Sequence, residues 1–303
     1  MSGINGQVLT LKAHGFTAEI ATLGATLVSL EYQGRPLVRA FDPLGERPAY
    51  SGAILAPWPN RVTDGNYRWD GVQYQLPLSE PARGHALHGL VTDDLFTPGE
   101  HADQSLELRT TISPSEGYPF EIQLAITYQL EAQGLRITAA VTNNGSQAAP
   151  FGWGSHAYLV APGKNVNGWN LSLPAQRVQL IEGERLLPKD VVSVDSTELD
   201  FRSARVVGDT FIDHAYTGLD AGEDQLIRAV LTDENGIGSQ VIWDETQPWV
   251  QIHTADRDDP ELNRTGLAIE PMTCPPGAFN SGEDVIRLEP GSSHQTSWVI
   301  APA

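Results

Sequence analysis

Residues 121–130 read EIQLAITYQL, so Ile122, Leu124, Ile126, Tyr128 and Leu130 alternate with Glu121, Gln123, Ala125, Thr127 and Gln129. A period of two places successive side chains on opposite faces of an extended chain, and the segment predicts a half-buried strand. Residues 135–142, LRITAAVT, repeat the pattern with Leu135, Ile137, Ala139 and Val141 on one face, and Asn143-Asn144-Gly145 follows as a turn. The two segments are expected to pair antiparallel.

The same reading predicts strands at 8–12, 17–21, 26–32, 225–232, 240–243, 250–254, 266–270 and 296–301, separated by turn clusters such as Asp233-Glu234-Asn235-Gly236. Long helical periodicity is missing, and 29 Gly and 21 Pro punctuate the chain. The fold class this supports is all-β, a large antiparallel β-sandwich. At 303 residues, with no linker, repeat or low-complexity stretch, residues 1–303 are expected to form a single domain.

Several functions are disfavoured by composition. A net charge of −19 repels nucleic-acid phosphates and anionic lipid surfaces, and the acids are scattered as a solubility device would be. No apolar run approaches the roughly 20 residues of a membrane helix. The amino terminus carries no basic start, apolar run and cleavage site, so a cytoplasmic protein is expected. The lone Cys274, beside two prolines, reads as a small buried residue, not a nucleophile.

Three regions combine Gly or Pro with polar and aromatic residues, as where a scaffold gives way to a site: 56–64 with 83–89, 151–159, and 266–283. If FGWGSHAYL (151–159) is extended, Gly152, Gly154, His156 and Tyr158 share one face, and the glycines leave room for a ligand or for another backbone. In GLAIE (266–270), Glu270 shares a face with Ala268 and stands at a strand end before Pro271, Pro275 and Pro276 break the chain. Taken alone, His156 reads sooner as a satisfied packing histidine, and Glu270 as a solvated rim charge or an ion-pair partner.

GLAIEPMTCPPGAFNSGED, preceded in order by PWPNRV, ALHGL and SHAYL, resembles the aldose 1-epimerase family over nearly the whole chain. The resemblance implies a galactose mutarotase-like supersandwich and a cofactor-free isomerase that interconverts the α and β anomers of a hexose. By that resemblance Glu270 is the general base and His156 the general acid, His88 stands near the ring oxygen, and Asn60, Arg61 and Asp213 hold hydroxyls. The chain departs from the family's galactose enzymes at PWPNR and at Ala157, where they have a proline. Among the tryptophans, Trp58 and Trp153 are the expected sugar-stacking faces.

The residue types suit the reaction. Opening a hemiacetal takes a proton from the C1 hydroxyl and gives one to the ring oxygen; closing it on the other carbonyl face reverses both steps. A glutamate ionised near neutral pH and a histidine titrating at about 6.5 are matched to these tasks. Neither metal, nucleotide nor covalent nucleophile is required, so the expected partner is a small sugar alone.

Rival readings keep other residues in play. A metal hydrolase would draw on His85, His88, His156, Asp213, His214 and His253, and a glycosidase on Glu270 with Asp213 or Asp244. A carbohydrate-binding protein would have no use for an acid–base pair. An epimerase of an anionic sugar, such as sulfoquinovose or a hexose 6-phosphate, would gather Arg61, Arg83, His88 and either Arg287 or Lys164. His85 has no family counterpart, Asn280 and Glu283 are expected to shape a turn, and nothing in the sequence signals an oligomeric state.

Overall fold

The structure, a computed structural model, describes residues 3–303. Alternation is expressed as predicted: Ile122–Glu131 and Gly134–Asn143 form a hairpin with its large apolar residues on the buried face and, Asn143 apart, its polar residues on the other. The hairpin turns at Ala132 and Gln133, while Asn143 closes the second strand and its amide ties the following loop to the carbonyls of Gln147 and Leu288. These strands belong to a nine-stranded sheet that continues through Ser293–Pro302, Gly238–Trp243 and Ile227–Thr232. An eight-stranded sheet runs Leu187–Ser193, Ala175–Glu182, Asp213–Leu219, Trp249–His253, Leu267–Met272, Gly154–Ser155 and Ile54–Leu55, with Tyr158–Leu159 also on Leu267–Met272.

Every pairing between strands is antiparallel. The apolar faces of the two large sheets meet in one continuous core that includes Ile122, Leu124 and Ile126 from one and Val250, Ile252, Leu267 and Ile269 from the other. Burial of each such side chain contributes roughly 1.5–3 kcal/mol against chain entropy, which makes this the dominant stabilising term. Among the described residues, no helix is long and apolar enough to cross a membrane.

Two expectations are corrected. The 151–159 segment is not one strand. Ala149–Phe151 pairs with Ile286–Leu288, and Gly154–Ser155 and Tyr158–Leu159 pair separately with Leu267–Met272. Nor does Glu270 end a strand, since Leu267–Met272 runs straight through Pro271.

The two corrections share a cause. Ile269 and Thr273 donate their backbone N–H groups to the carbonyls of Ala157 and Trp153, at 3.3 and 3.0 Å. Pro271, midway between them, turns its nitrogen to the same side, where the ladder is interrupted between Gly154↔Met272 and Tyr158↔Ala268. A proline there forfeits no ladder hydrogen bond, and the interruption is where His156 stands.

Candidate active site

Side chains of one parity on three adjacent strands project from the same face of the eight-stranded sheet. Asp213 lies opposite His253, Gln251 opposite both Ala215 and Glu270, and His253 opposite Ala268. That face therefore carries Asp213, Gln251, His253 and Glu270, with Ala215 and Ala268 keeping it open. The other parity sends Val250, Ile252, Leu267 and Ile269 into the core. His214 also has that other parity, and its Nδ1 accepts the Asp213 N–H at 3.1 Å.

Above this face is a cavity of about 340 Å³. Its roof comes from three loops. His156 is pinned at the strand interruption by its N–H to the Ala53 carbonyl (3.0 Å) and by its own carbonyl, which accepts the Gly52 N–H (2.9 Å). The Asn60 and His88 loops are joined by the His88 N–H to the Asn60 carbonyl at 2.8 Å, and both residues are left-handed, with φ of 54° and 61°. Strained backbone of this kind persists where surrounding structure over-determines it, and functional sites are where it clusters.

At the centre, His156 Nε2 lies 3.5 Å from Glu270 Oε1, with both side chains almost wholly buried. The His88 ring meets the His156 ring edge-on at 5.0 Å and the Tyr50 ring at 4.7 Å. Arg61 forks onto Glu80, with Nε at 2.7 Å and Nη2 at 3.0 Å; Nη1 is left with only a long 3.4 Å contact to Asn60 Oδ1. Glu80 also accepts from Arg83 at 2.7 Å. Asp213 Oδ1 accepts from Gln251 at 2.7 Å, leaving its second oxygen for a ligand.

Burial pushes the Glu270 carboxyl well above the ordinary carboxylate range, and the Asp213 charge pushes it further while Arg61 opposes. Burial also holds His156 well below the ordinary histidine value, helped by His253, Arg257 and Arg39. His88 is lowered well below that value by burial and by His156. The ordinary values used for the sequence reading thus do not apply: carboxyl and imidazole are displaced toward one another. Shifts in these directions make the carboxyl a better proton acceptor and the imidazole a better proton donor than either is in water.

Of the residues singled out from sequence, Glu270, His156, His88, Asn60, Arg61 and Asp213 line this one cavity. Trp58 and Trp153 do not. Both are fully buried, Trp58 against Phe279 and Trp153 against Phe151, so the expected stacking role is corrected to core packing. The room at Gly152 and Gly154 is taken by protein as well. A Cβ at Gly152 would sit 2.4 Å from Cys274 Sγ, and one at Gly154 would sit 3.1 Å from Met272.

Cys274 is buried and its thiol is pushed up to about 12. His85 is buried outside the cavity, with Nε2–H donating to the Arg185 carbonyl and Nδ1 accepting the Asp64 N–H. Among the described residues, no three His, Cys, Asp or Glu side chains are grouped as a metal ion would require. Asp244 lies outside the cavity, on another face. Arg83 reaches the cavity, whereas Arg287 is paired with Asp70 and Glu289, and Lys164 lies on a separate loop. Asn280 bonds the backbone of Thr63 and Asn66, and Glu283 is exposed on the following turn.

The sequence reading missed Tyr50, Glu80, Phe211, Gln251 and Arg257, and it named His253 only as a rival metal ligand. Gln251 and His253 carried a signal, since they alternate with Val250 and Ile252 in a segment read as a strand. Glu80 lies in a loop with no period to read.

A family model described as aldose 1-epimerase matches residues 7–301. The chain is 36% identical over 297 residues to an uncharacterized Escherichia coli K12 protein, YihR, covering 98% of this chain and 93% of that one. It is 26% identical to human galactose mutarotase, covering 92% and 89% of the two. Among solved structures, a Caenorhabditis elegans GalM/aldose epimerase homologue superposes with a TM-score of 0.87 at 20% identity over 98% of each chain. A putative aldose 1-epimerase of E. coli K12 does so at 0.83 and 23%, over 98% of this chain and 99% of that one.

Proposed function

Because the chain belongs to the aldose 1-epimerase family of isomerases, we propose that it is a mutarotase that interconverts the α and β anomers of a hexose, with Glu270 and His156 as its proton-transfer pair. The observation that carries this reading is the meeting of those two side chains, 3.5 Å apart, in the floor of one cavity. The pair shares one proton across the 3.5 Å between them; in the reacting form it sits on His156, so Glu270 takes the proton of the C1 hydroxyl while His156, with His88 beside it, delivers one to the ring oxygen, and the bond between C1 and the ring oxygen opens. Rotation about C1–C2 presents the other carbonyl face, and the same groups run in reverse. Arg61 Nη1, Asn60, Gln251 and the free oxygen of Asp213 hold the remaining hydroxyls.

Each positioned acid or base contributes about 10²–10⁴-fold. Polarimetry of freshly dissolved α-glucose and α-galactose tests the proposal: the protein should accelerate the drift to equilibrium. A non-catalytic binder would leave it at the spontaneous rate.

A second reading, an anionic sugar as substrate, is favoured by Arg257. This cavity residue has no carboxylate within ion-pair distance among the described residues, whereas Arg61 and Arg83 share Glu80. Its guanidinium lies 3.5 Å from His253 Nε2. If it receives a sulfonate or phosphate, Arg257→Ala should raise KM about tenfold or more for sulfoquinovose or glucose 6-phosphate and leave galactose unaffected. Equal KM changes for charged and neutral sugars would remove this reading.

A further inference from the structure

With Trp58 and Trp153 in the core, the cavity draws its aromatic wall from elsewhere. Among the described residues, Phe211 is the one exposed Phe, Tyr or Trp side chain; every other is buried or half-buried. At 47% exposure it leaves a large apolar ring in water, and it does so on the wall of the Glu270–His156 cavity.

Local structure holds it there. Ile212 is fully buried, so the alternation that drives Ile212 inward turns its neighbours Phe211 and Asp213 toward the cavity. The Ile212 backbone is clamped on both sides by Thr254: its N–H donates to Thr254 Oγ1 at 3.1 Å, and its carbonyl accepts the Thr254 N–H at 2.9 Å. The ring leans edge-on toward His214 at 6.4 Å and leaves about half of the side chain to solvent.

We infer that Phe211 is the stacking platform of the site, covering the C–H face of a pyranose ring whose hydroxyls are held by the polar residues around it. A pyranose presents axial hydrogens as an apolar patch, and removing both that patch and the phenyl face from water favours the bound state. Phe211 has no group able to move a proton, so it sets binding and leaves the chemical step to Glu270 and His156. Its occupant is a sugar ring, since the same cavity offers hydroxyl-binding groups on its other walls.

Two readouts test this, and only the first rests on the mutarotase reading. In anomer-exchange kinetics with galactose and glucose, Phe211→Ala should raise KM about tenfold with kcat within about twofold. Phe211→Trp and Phe211→Tyr should restore KM, and an unchanged thermal midpoint for Phe211→Ala would separate the effect from unfolding. In the catalytically blocked Glu270→Gln protein, NMR saturation of the aromatic protons should transfer to the C–H protons of the same sugars, and adding Phe211→Ala should abolish the transfer. Unchanged KM in an active Phe211→Ala enzyme, or undiminished transfer in the double variant, overturns the platform. A wild-type protein that shows the Phe211-dependent transfer yet leaves anomers unexchanged overturns the mutarotase reading and upholds the platform.

Discussion

A carboxyl held as deep as Glu270 costs the fold something, and the cost depends on pH. Its proton affinity is raised in the native state by burial and by Asp213, whereas in the unfolded chain it titrates in the ordinary range near 4.3. The native state therefore keeps a proton that the unfolded state has released. The associated stability is fully present below the unfolded value and is lost as pH rises through the native value. His156, held low, works the other way: its stability is present above about 6.5 and is lost as pH falls through its native value.

Glu270→Gln removes the first of these effects. Its melting temperature should match wild type below pH 4 and exceed it by a margin that grows as pH rises toward the native value, each tenfold difference in proton affinity being worth about 1.4 kcal/mol. Thermal unfolding across that range checks this; a gap that shrinks with rising pH would mean that Glu270 is stabilised as a carboxylate. The pattern is that of a residue kept for reaction at the expense of stability.

At the scale of the element, the interrupted ladder and the loops above it matter more than any strand. Gly89, which follows His88, has φ of 82°, and a Cβ there would lie 2.0 Å from the Ala56 carbonyl oxygen. The His-Gly pair is thus a backbone requirement that sets the His88 ring over His156. Gly89→Ala should cost about 3 kcal/mol or more by urea unfolding and depress activity even where the variant folds; a loss under about 1 kcal/mol would mean that the loop is free to move aside.

Elements were legible in proportion to their alternation. The Ile122–Glu131 and Gly134–Asn143 strands were found because each has one wet and one dry face. Thr97–Ala102, exposed at every position on a sheet edge, and Asp213–Leu219, with three consecutive buried residues, lack that period and were not found. The run of Leu267–Met272 through Pro271 was illegible because it depends on a gap in a neighbouring strand more than 100 residues away. In the site, short motifs located Glu270, His156, His88, Arg61 and Asp213. Glu80 and Phe211 sit in loops whose roles arise only from what folds against them.

Across the described residues, the main core cluster takes in side chains of both large sheets. Residues 3–303 should therefore unfold as one cooperative unit, with tryptophan fluorescence and far-ultraviolet circular dichroism tracing the same urea transition. Separated midpoints would divide the chain into two domains. The molecule's net charge of −19 surrounds a cavity wall that carries Arg61, Arg83 and Arg257.

Glu270 and His156, 3.5 Å apart beside a break in one strand, are proposed to exchange protons with a sugar hemiacetal. NMR magnetisation exchange between the α and β anomeric protons, run across glucose, galactose, glucose 6-phosphate and sulfoquinovose, measures that directly. Wild-type protein should accelerate exchange of at least one of these sugars. Glu270→Gln and His156→Ala, folded by circular dichroism, should each lose about 10²–10⁴-fold of that acceleration. Wild-type rates in either folded variant would contradict the account.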